Sequence, residues 1–344
     1  MRSEIHGARI KSVAAVVPVQ QRGYEDLVTI TSEKEARRII QNTGIEHVRV
    51  SGKDKTASDY CEAAASKIIG RARKITGLVF VSQTPDYVIP ATSCILQHKL
   101  GLHADVVCYD VNSGCTGYIK GLHLASMIAS STGGDVLLLV GDTMTKHVSP
   151  QDHSLFLLMG DAGTATLVSP SDVGSMHFNF KTHGEGWNSL IIPAGANRLP
   201  SSDATREIVE CEKGNWRSQE HLYMDGMAIM LFALSKATSL IEEEINRALC
   251  PPNLYVFHQA NEFIVKSMAK NLKLDANKLV LSVKEYGNTG PASIPLALCD
   301  TSVNDPRRYS GANNAMLAGF GVGLTLATLI TDISDTEFCG VEEI

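Results

Sequence analysis

The chain has 344 residues, 44% of them hydrophobic, and a formal net charge of -6. That apolar content supports a sizeable core in one large domain or two fused ones and excludes a small peptide-like fold. Lys and Arg are spread along the chain without a basic block, so nucleic acid is not an expected partner. The first segment, "MRSEIHGARIKSVAAVVPV", interrupts its apolar residues with Arg9 and Lys11. It lacks the apolar core of a signal peptide, so export is not expected. "KSVAAVVP" then reads as a strand, Ala57 to Arg73 as a helix, "TGLVFVSQ" as a strand, "ATSCILQHKLG" as a helix and "DVVCYDV" as a strand. A helix from about Gly117 to Ser131 ends at "TGG". The near-continuous apolar strand "DVLLLVGD" and a further strand, "AGTATLVSPS", follow. This β-α-β-α order predicts an α/β fold with largely parallel strands.

After about residue 175 the order begins again, which predicts two similar α/β halves, 1–175 and 176–344, in one compact unit. "GMAIMLFALSKATSLIEEEINRAL" reads as one long amphipathic helix, "NLYVFHQA" as a strand, and "NEFIVKSMAKNL" and "PASIPLALCDTSV" as helices. "AMLAGFGVGLTLATLI" supplies two terminal strands separated by a glycine turn. At 16 residues with three glycines it is shorter than the ~20 a spanning helix needs, so it reads as core and no membrane role is expected. Between Gly184 and Met224 the Gly, Pro, Asn and Ser content predicts an insertion of loops and short elements. The eight cysteines, at 61, 94, 108, 115, 211, 250, 299 and 339, show no C-x-x-C pair and no metal-ligand spacing, so neither a zinc site nor a disulfide framework is signalled. Scattered thiols fit the reducing cytoplasm.

Three stretches carry candidate chemistry. In "VNSGCTGYIKG", Cys115 stands at a strand-to-helix junction, where unpaired N–H groups and the helix dipole are expected to lower its thiol pKa. In "VFHQAN", His258 ends a strand and Asn261 opens a helix. In "YGNTGPASIP", Asn288 sits between glycines ahead of a Pro-initiated helix. Singly, the ordinary readings are favoured: a buried cysteine, a structural histidine and a turn.

Together, "GCTGY", "HQAN", "GNTGPASIP" and the terminal "GFGVGLT" resemble, in order and approximate spacing, the 3-oxoacyl-acyl-carrier-protein synthase III family of condensing enzymes. "NTGIEHVRV", "VIPATSCILQHKLGL", "LLMGDAGTATLV" and "YMDGMAIM" extend the resemblance over nearly the whole chain. It implies a thiolase-like fold, duplicated α/β halves in layered α-β-α-β-α order with buried central helices, and a catalytic triad of Cys115, His258 and Asn288. Relatives that elongate longer chains place a second His where Asn288 stands, thiolases a second Cys, and hydroxymethylglutaryl-CoA synthases use a Glu, so Asn288 points to the synthase III and chalcone-synthase-like branch. The resemblance further implies acyl transfer to Cys115, with an oxyanion hole from the backbone N–H groups of Cys115 and Val322. His258 and Asn288 would then stabilise the enolate of a decarboxylating malonyl thioester as neutral donors. The family generally has Gly where Val322 stands, but a backbone donor does not require one. In the light of the resemblance, Gly114 and Gly117 read as room for an acyl thioester beside a helix start.

Other positions depart from the family. It grips coenzyme A with a Trp and an Arg shortly before its "TGI" and with an Arg soon after "HQAN"; here the nearest positions hold Arg38, Asn42 and Phe263, with Glu262 directly after Asn261. The acyl donor, coenzyme A or acyl carrier protein, is therefore left open. Lys266 and Lys270, about one turn apart, are candidates for a phosphate or an acidic carrier protein, or for a solvated face. Ile89, where the family often has an aromatic on a loop crossing a homodimer interface, and Met159, in place of a common Phe, are expected to shape a larger or more pliable substrate pocket. No bound cofactor is implied beyond acyl-CoA or acyl-carrier thioesters as substrates. Two alternatives stand beside condensation: transfer of the acyl group from Cys115 to a hydroxyl or amine with His258 as base, and a non-catalytic partner subunit of an active homologue.

Overall fold

The computed structural model describes residues 1–309 and 311–344. Nine strands form one hydrogen-bonded network: β1 (Arg2–Val17), β2 (Ile75–Val81), β3 (Val107–Val111), β4 (Asp135–Asp142), β5 (Ala162–Thr182), β6 (Leu254–Phe257), β7 (Ala315–Gly321), β8 (Thr325–Thr331) and β9 (Glu337–Glu343). The main helices are α1 (Glu33–Thr43), α2 (Ala57–Ile68), α3 (Thr92–Lys99), α4 (Gly117–Thr132), α5 (Gly226–Phe232), α6 (Thr238–Arg247), α7 (Glu262–Asn271) and α8 (Ser293–Asn304). Strand order is β6-β7-β8-β5-β4-β2-β3, with β1 paired to β5 and β9.

Two long strands divide this network into two wings. β5 pairs with β4 through residues 162–168 and with β8 through 177–182. β1 follows it, residues 8–16 on the first wing and 2–6 on the second, with a register break between His6 and Ala8. Gly7 sits in that break at φ +83°, a left-handed conformation that suits glycine. The division at 175/176 thus falls inside β5. The sheet is mixed, not largely parallel: β1–β9, β2–β3, β2–β4 and β6–β7 are parallel, whereas β1–β5, β4–β5, β5–β8 and β7–β8 are antiparallel.

Side-chain alternation along the strands sorts the core into layers. Leu78, Phe80, Leu137 and Leu139 point from the first wing to α2 and α3. Their neighbours Val79, Val81, Leu138 and Val140 point the other way, into a core that α4 and α8 share with Val256, Leu317 and Leu329 of the second wing. The opposite face of that wing, through Tyr255, Phe257, Met316 and Phe320, meets the α5–α6 segment and α7. The result is α-β-α-β-α layering with α4 and α8 buried at the centre.

Other details depart from the sequence reading. The expected single helix at 226–249 is interrupted by a wider π-type turn over Ala233–Ala237, where Thr238 Oγ1 donates to Ala233 O at 3.0 Å. The helix from Ala57 ends at Ile68, and a 3₁₀ turn continues only to Arg71. β5 runs on to Thr182, well beyond "AGTATLVSPS", and α1 and β9 were not expected. The 184–224 segment is made of short pieces, among them the ladder of Leu190–Ile191 against Tyr223–Met224. All eight cysteines are unpaired thiols. Among the described residues no helix is long and apolar enough to cross a membrane.

Because α4 carries Cys115 at its start and lies in the core common to both wings, Ile119→Ala, which removes a fully buried side chain, is expected to destabilise the whole protein by about 2–5 kcal/mol. Urea unfolding would show this as one shifted transition, not loss of one half alone.

Candidate active site

Cys115 lies in the connection between β3 and α4, His258 directly follows β6, and Asn288 precedes the turn into α8. All three line one cavity of about 350 Å³. Its remaining wall is largely apolar: Leu158, Leu190, Met224, Ile229, Met230, Ile264 and Phe320, with Asn42, Thr43, Asn261 and Phe263 among the other lining residues. Leu190 and Met224 show that the 184–224 insertion builds part of this wall. The end of α1, unseen in the sequence, contributes Asn42 and Thr43.

The loop that carries Cys115 and the β7–β8 turn are in close contact. A β-carbon at Gly321, φ +150°, would lie 2.5 Å from Cys115 Sγ. Backbone N–H groups of Val322 and of Cys115 itself face the thiol, which puts two donors beside it. Gly114 and Gly117 do not leave room for a ligand as expected. A β-carbon at Gly114 would meet Gln83 Oε1 at 2.2 Å and Val322 Cγ1 at 2.6 Å, and one at Gly117 would meet Val81 and Pro291. They let the loop pack.

The thiol is also less acidic than the helix-start argument predicts. Cys115 is only 8% exposed. Burial raises its pKa to about 11, although the N–H groups of Val322 and Cys115 pull it down and Asp142 pushes it up. Desolvation of a thiolate outweighs the local donors here. Asp142, fully buried at the end of β4, gathers Ser82 Oγ, the Gln83 and Thr84 N–H groups and Thr84 Oγ1 onto Oδ1 at 2.7–3.2 Å. Its carboxyl is raised to about 7 by burial, against the hydrogen bonds from Gln83, Ser82 and Thr84. This support for the Gln83 loop left no mark in the sequence beyond an aspartate ending an apolar strand.

The other two residues face the cavity as neutral groups. His258 is 1% exposed, and burial lowers its pKa to about 3, so the imidazole is uncharged at neutral pH. Its N–H backbone group donates to Ala318 O at 2.8 Å, and its ring meets Phe320 edge-on with centroids 5.5 Å apart. Gln259 pins the turn by donating to Phe257 O and Val280 O and accepting from Ser282 N, and Asn261 caps α7 through Ile264 N at 2.7 Å. Asn288 is held by its backbone to Leu158 O and Gly160 N. Its Oδ1 accepts from Gly290 N at 3.0 Å, which leaves the amide NH₂ as the free donor.

Of the remaining expected positions Met159 stands next to Asn288 in a parallel backbone bridge, and Ile89, Met159, Lys266 and Lys270 do not line the cavity. Ile89 is 84% exposed beside exposed Tyr87 and Val88. Met159 is buried in a cluster with Leu157 and Leu158; of these only Leu158 lines the cavity. Lys266 and Lys270 border a shallow depression of about 270 Å³ with Gln41, Gly44 and Phe263. Phe263 also lines the main cavity, so the two depressions adjoin. Lys266 Nζ lies 2.6 Å from Glu262. At the surface, outside the cavity, Glu46, His47 and Glu285 bring ligand-type atoms within 4.8 Å of one another, and Lys284 already pairs with Glu46.

Residues 109–186 match the family described as 3-oxoacyl-[acyl-carrier-protein (ACP)] synthase III, and residues 252–333 match its C-terminal part. The first match contains Cys115, and the second contains His258, Asn288 and Val322. A putative 3-oxoacyl-[acyl-carrier-protein] synthase 3 of Campylobacter jejuni is 28% identical, over 97% of this chain and 96% of its own. A beta-ketoacyl-[acyl-carrier-protein] synthase III of Clostridium perfringens strain SM101 is 33% identical, over 83% and 87%. The crystal structure of a 3-oxoacyl-(acyl-carrier protein) synthase from Burkholderia xenovorans LB400 superposes with a TM-score of 0.91 at 33% identity, covering 100% of this chain and 99% of that one.

The close approach at Gly321 predicts that Gly321→Ala, which sets a methyl group against the sulfur, abolishes acylation of Cys115 by an acyl thioester. Intact-mass measurement would check this, with circular dichroism reporting that the fold is retained.

Proposed function

The chain belongs to the 3-oxoacyl-acyl-carrier-protein synthase III family, with its thiolase-like fold and its condensing, acyl-transferring activity, and from that premise we propose how its own residues carry the reaction. The observation that supports the assignment is the convergence of Cys115, His258 and Asn288, from three separate elements, on one cavity.

In the first half-reaction the Cys115 thiol attacks an acyl thioester. The N–H groups of Cys115 and Val322 receive the oxyanion, and the departing thiol carries away the proton that Cys115 gives up. Cys115–SH and R–CO–S–R′ thus become Cys115–S–CO–R and HS–R′. Losing one preset donor of this kind typically costs about 10²–10³ in rate. In the second, a malonyl thioester loses carbon dioxide. His258 and the Asn288 amide donate to the resulting enolate oxygen, and the enolate carbon attacks the acyl-Cys115 carbonyl, breaking its C–S bond; the 3-oxoacyl product is released and the Cys115 thiolate takes up one proton from solvent to return to the thiol. An uncharged imidazole and an amide held by its own carbonyl oxygen suit this donor role. Neither alternative, acyl transfer to a hydroxyl or amine or a non-catalytic partner role, is favoured by a feature of the site.

Delivery and assembly belong to the same proposal. Lys270 and Lys266, beside the mouth residue Phe263, are the cations available to a phosphate or an acidic acyl carrier protein, although Glu262 already neutralises part of that charge. The exposed edge of β3 and the apolar 87–89 loop support a homodimer in which Ile89 closes the acyl pocket of the other protomer, with Met159 tuning the wall from behind Leu158. Work in the cytoplasm fits the eight free thiols.

His258→Ala and Asn288→Ala are expected to leave Cys115 acylation within about threefold while cutting carbon dioxide release from a malonyl thioester by ~10²-fold or more. If the wild-type protein releases none from any malonyl thioester, condensation fails as the reading. Acylation by thioesters of rising chain length is expected to extend beyond acetyl, and a strict acetyl preference would remove the roles given to Ile89 and Met159. Light scattering is expected to give a dimer at micromolar concentration.

A further inference from the structure

Ser293, the first residue of α8, was not singled out by its sequence, where a serine at a helix start reads as a cap. In the folded chain its Oγ lies 2.7 Å from His258 Nδ1, with both residues 1% exposed. The same oxygen accepts the Gln259 backbone N–H at 3.4 Å. Among the described residues no carbonyl or carboxylate accepts from this hydroxyl, so Nδ1 is the one acceptor within its reach.

Proton accounting then decides the arrangement. A neutral imidazole carries one proton, on Nδ1 or on Nε2, and the partner of one nitrogen sets the state of the other. If Nδ1 carried it, two N–H groups would converge on Ser293 Oγ while the hydroxyl proton faced no acceptor in a dry site, an arrangement buried polar groups avoid. If Nε2 carries it, Ser293 O–H donates to Nδ1 and every proton has a partner or faces the cavity. The edge-on contact with Phe320 holds the ring in this plane.

We propose that Ser293 is a positioning residue that holds His258 as the Nε2–H tautomer, making it a hydrogen-bond donor toward the cavity and leaving it no lone pair there with which to act as a base. This rests on the condensing role proposed for His258, and it deepens that role. Decarboxylation needs a donor at Nε2, whereas acyl transfer to a hydroxyl needs an acceptor at the same atom. Ser293 thereby biases one constellation toward carbon–carbon bond formation over transfer to an alcohol.

The direct test is ¹⁵N NMR of histidine-labelled full-length protein, with the His258 signals assigned by their loss in His258→Ala. The expected result is a proton on Nε2 in the wild type and a shift toward the Nδ1–H form in Ser293→Ala. An Nδ1–H imidazole in the wild type overturns the proposal, as does an unchanged tautomer in Ser293→Ala. In kinetics, Ser293→Ala is expected to lower kcat for carbon dioxide release by about 10–100-fold with KM and Cys115 acylation nearly unchanged, and Ser293→Thr, which keeps the hydroxyl, to restore much of it. The wild-type tautomer is read without any variant of Ser293, so misfolding of a variant does not blunt the test. Absence of decarboxylation in the wild type would sink the functional reading while the tautomer still decided the role of Ser293.

Discussion

The constraint on which the site depends is the contact between the β7–β8 turn and the cysteine loop, where a single methyl at Gly321 would lie 2.5 Å from the Cys115 sulfur. That contact joins residues some two hundred positions apart in the chain and sets the Val322 N–H beside the thiol. The glycines around it serve packing: Gly114 admits Gln83 and Val322, and Gly117 admits Val81 and Pro291. Cys115 therefore sits where two wings and the start of a central helix meet, and the site depends on the core for its geometry.

Burial then governs the chemistry. The same dryness raises the Cys115 thiol to about 11 and lowers His258 to about 3. Both groups rest uncharged, which suits a reaction whose charged species are transient: an oxyanion, an enolate, a departing thiolate. Preset donors act most strongly in such a medium, because no water competes for the developing charge. The neutral imidazole has a stability consequence as well. Its folded pKa is depressed below the ordinary value near 6.5, so the unfolded chain binds the extra proton more readily. Stability from this group is complete above about pH 6.5 and is lost as the pH falls toward 3.

Much of this was legible in the linear chain. Strands that are buried on both faces, such as 135–142, announced themselves as continuous apolar runs, and helices such as 117–132 by their periodicity and glycine stop. Cys115, His258 and Asn288 were legible only as a set, since each alone has an ordinary structural explanation. α1 was missed because its sequence, "EKEARRIIQNT", buries only Ala36 and gives little apolar signal. β9 was missed because an edge strand with an exposed charged face does not alternate cleanly.

The sequence by itself determined the order of most elements, through local periodicity, and its ordered motifs, through the family they resemble, pointed to the layered fold class and to a candidate triad. Only the tertiary structure decided that β1 and β5 each serve both wings and that the sheet is mixed, since strand direction is set by distant pairing. It alone decided the thiol pKa as well: a helix start argued for lowering it, but desolvation, which depends on everything packed around the sulfur, proved larger. It alone placed Ser293 against His258, thirty-five positions away, because a hydrogen bond between two buried side chains depends on where β6 and α8 meet in space.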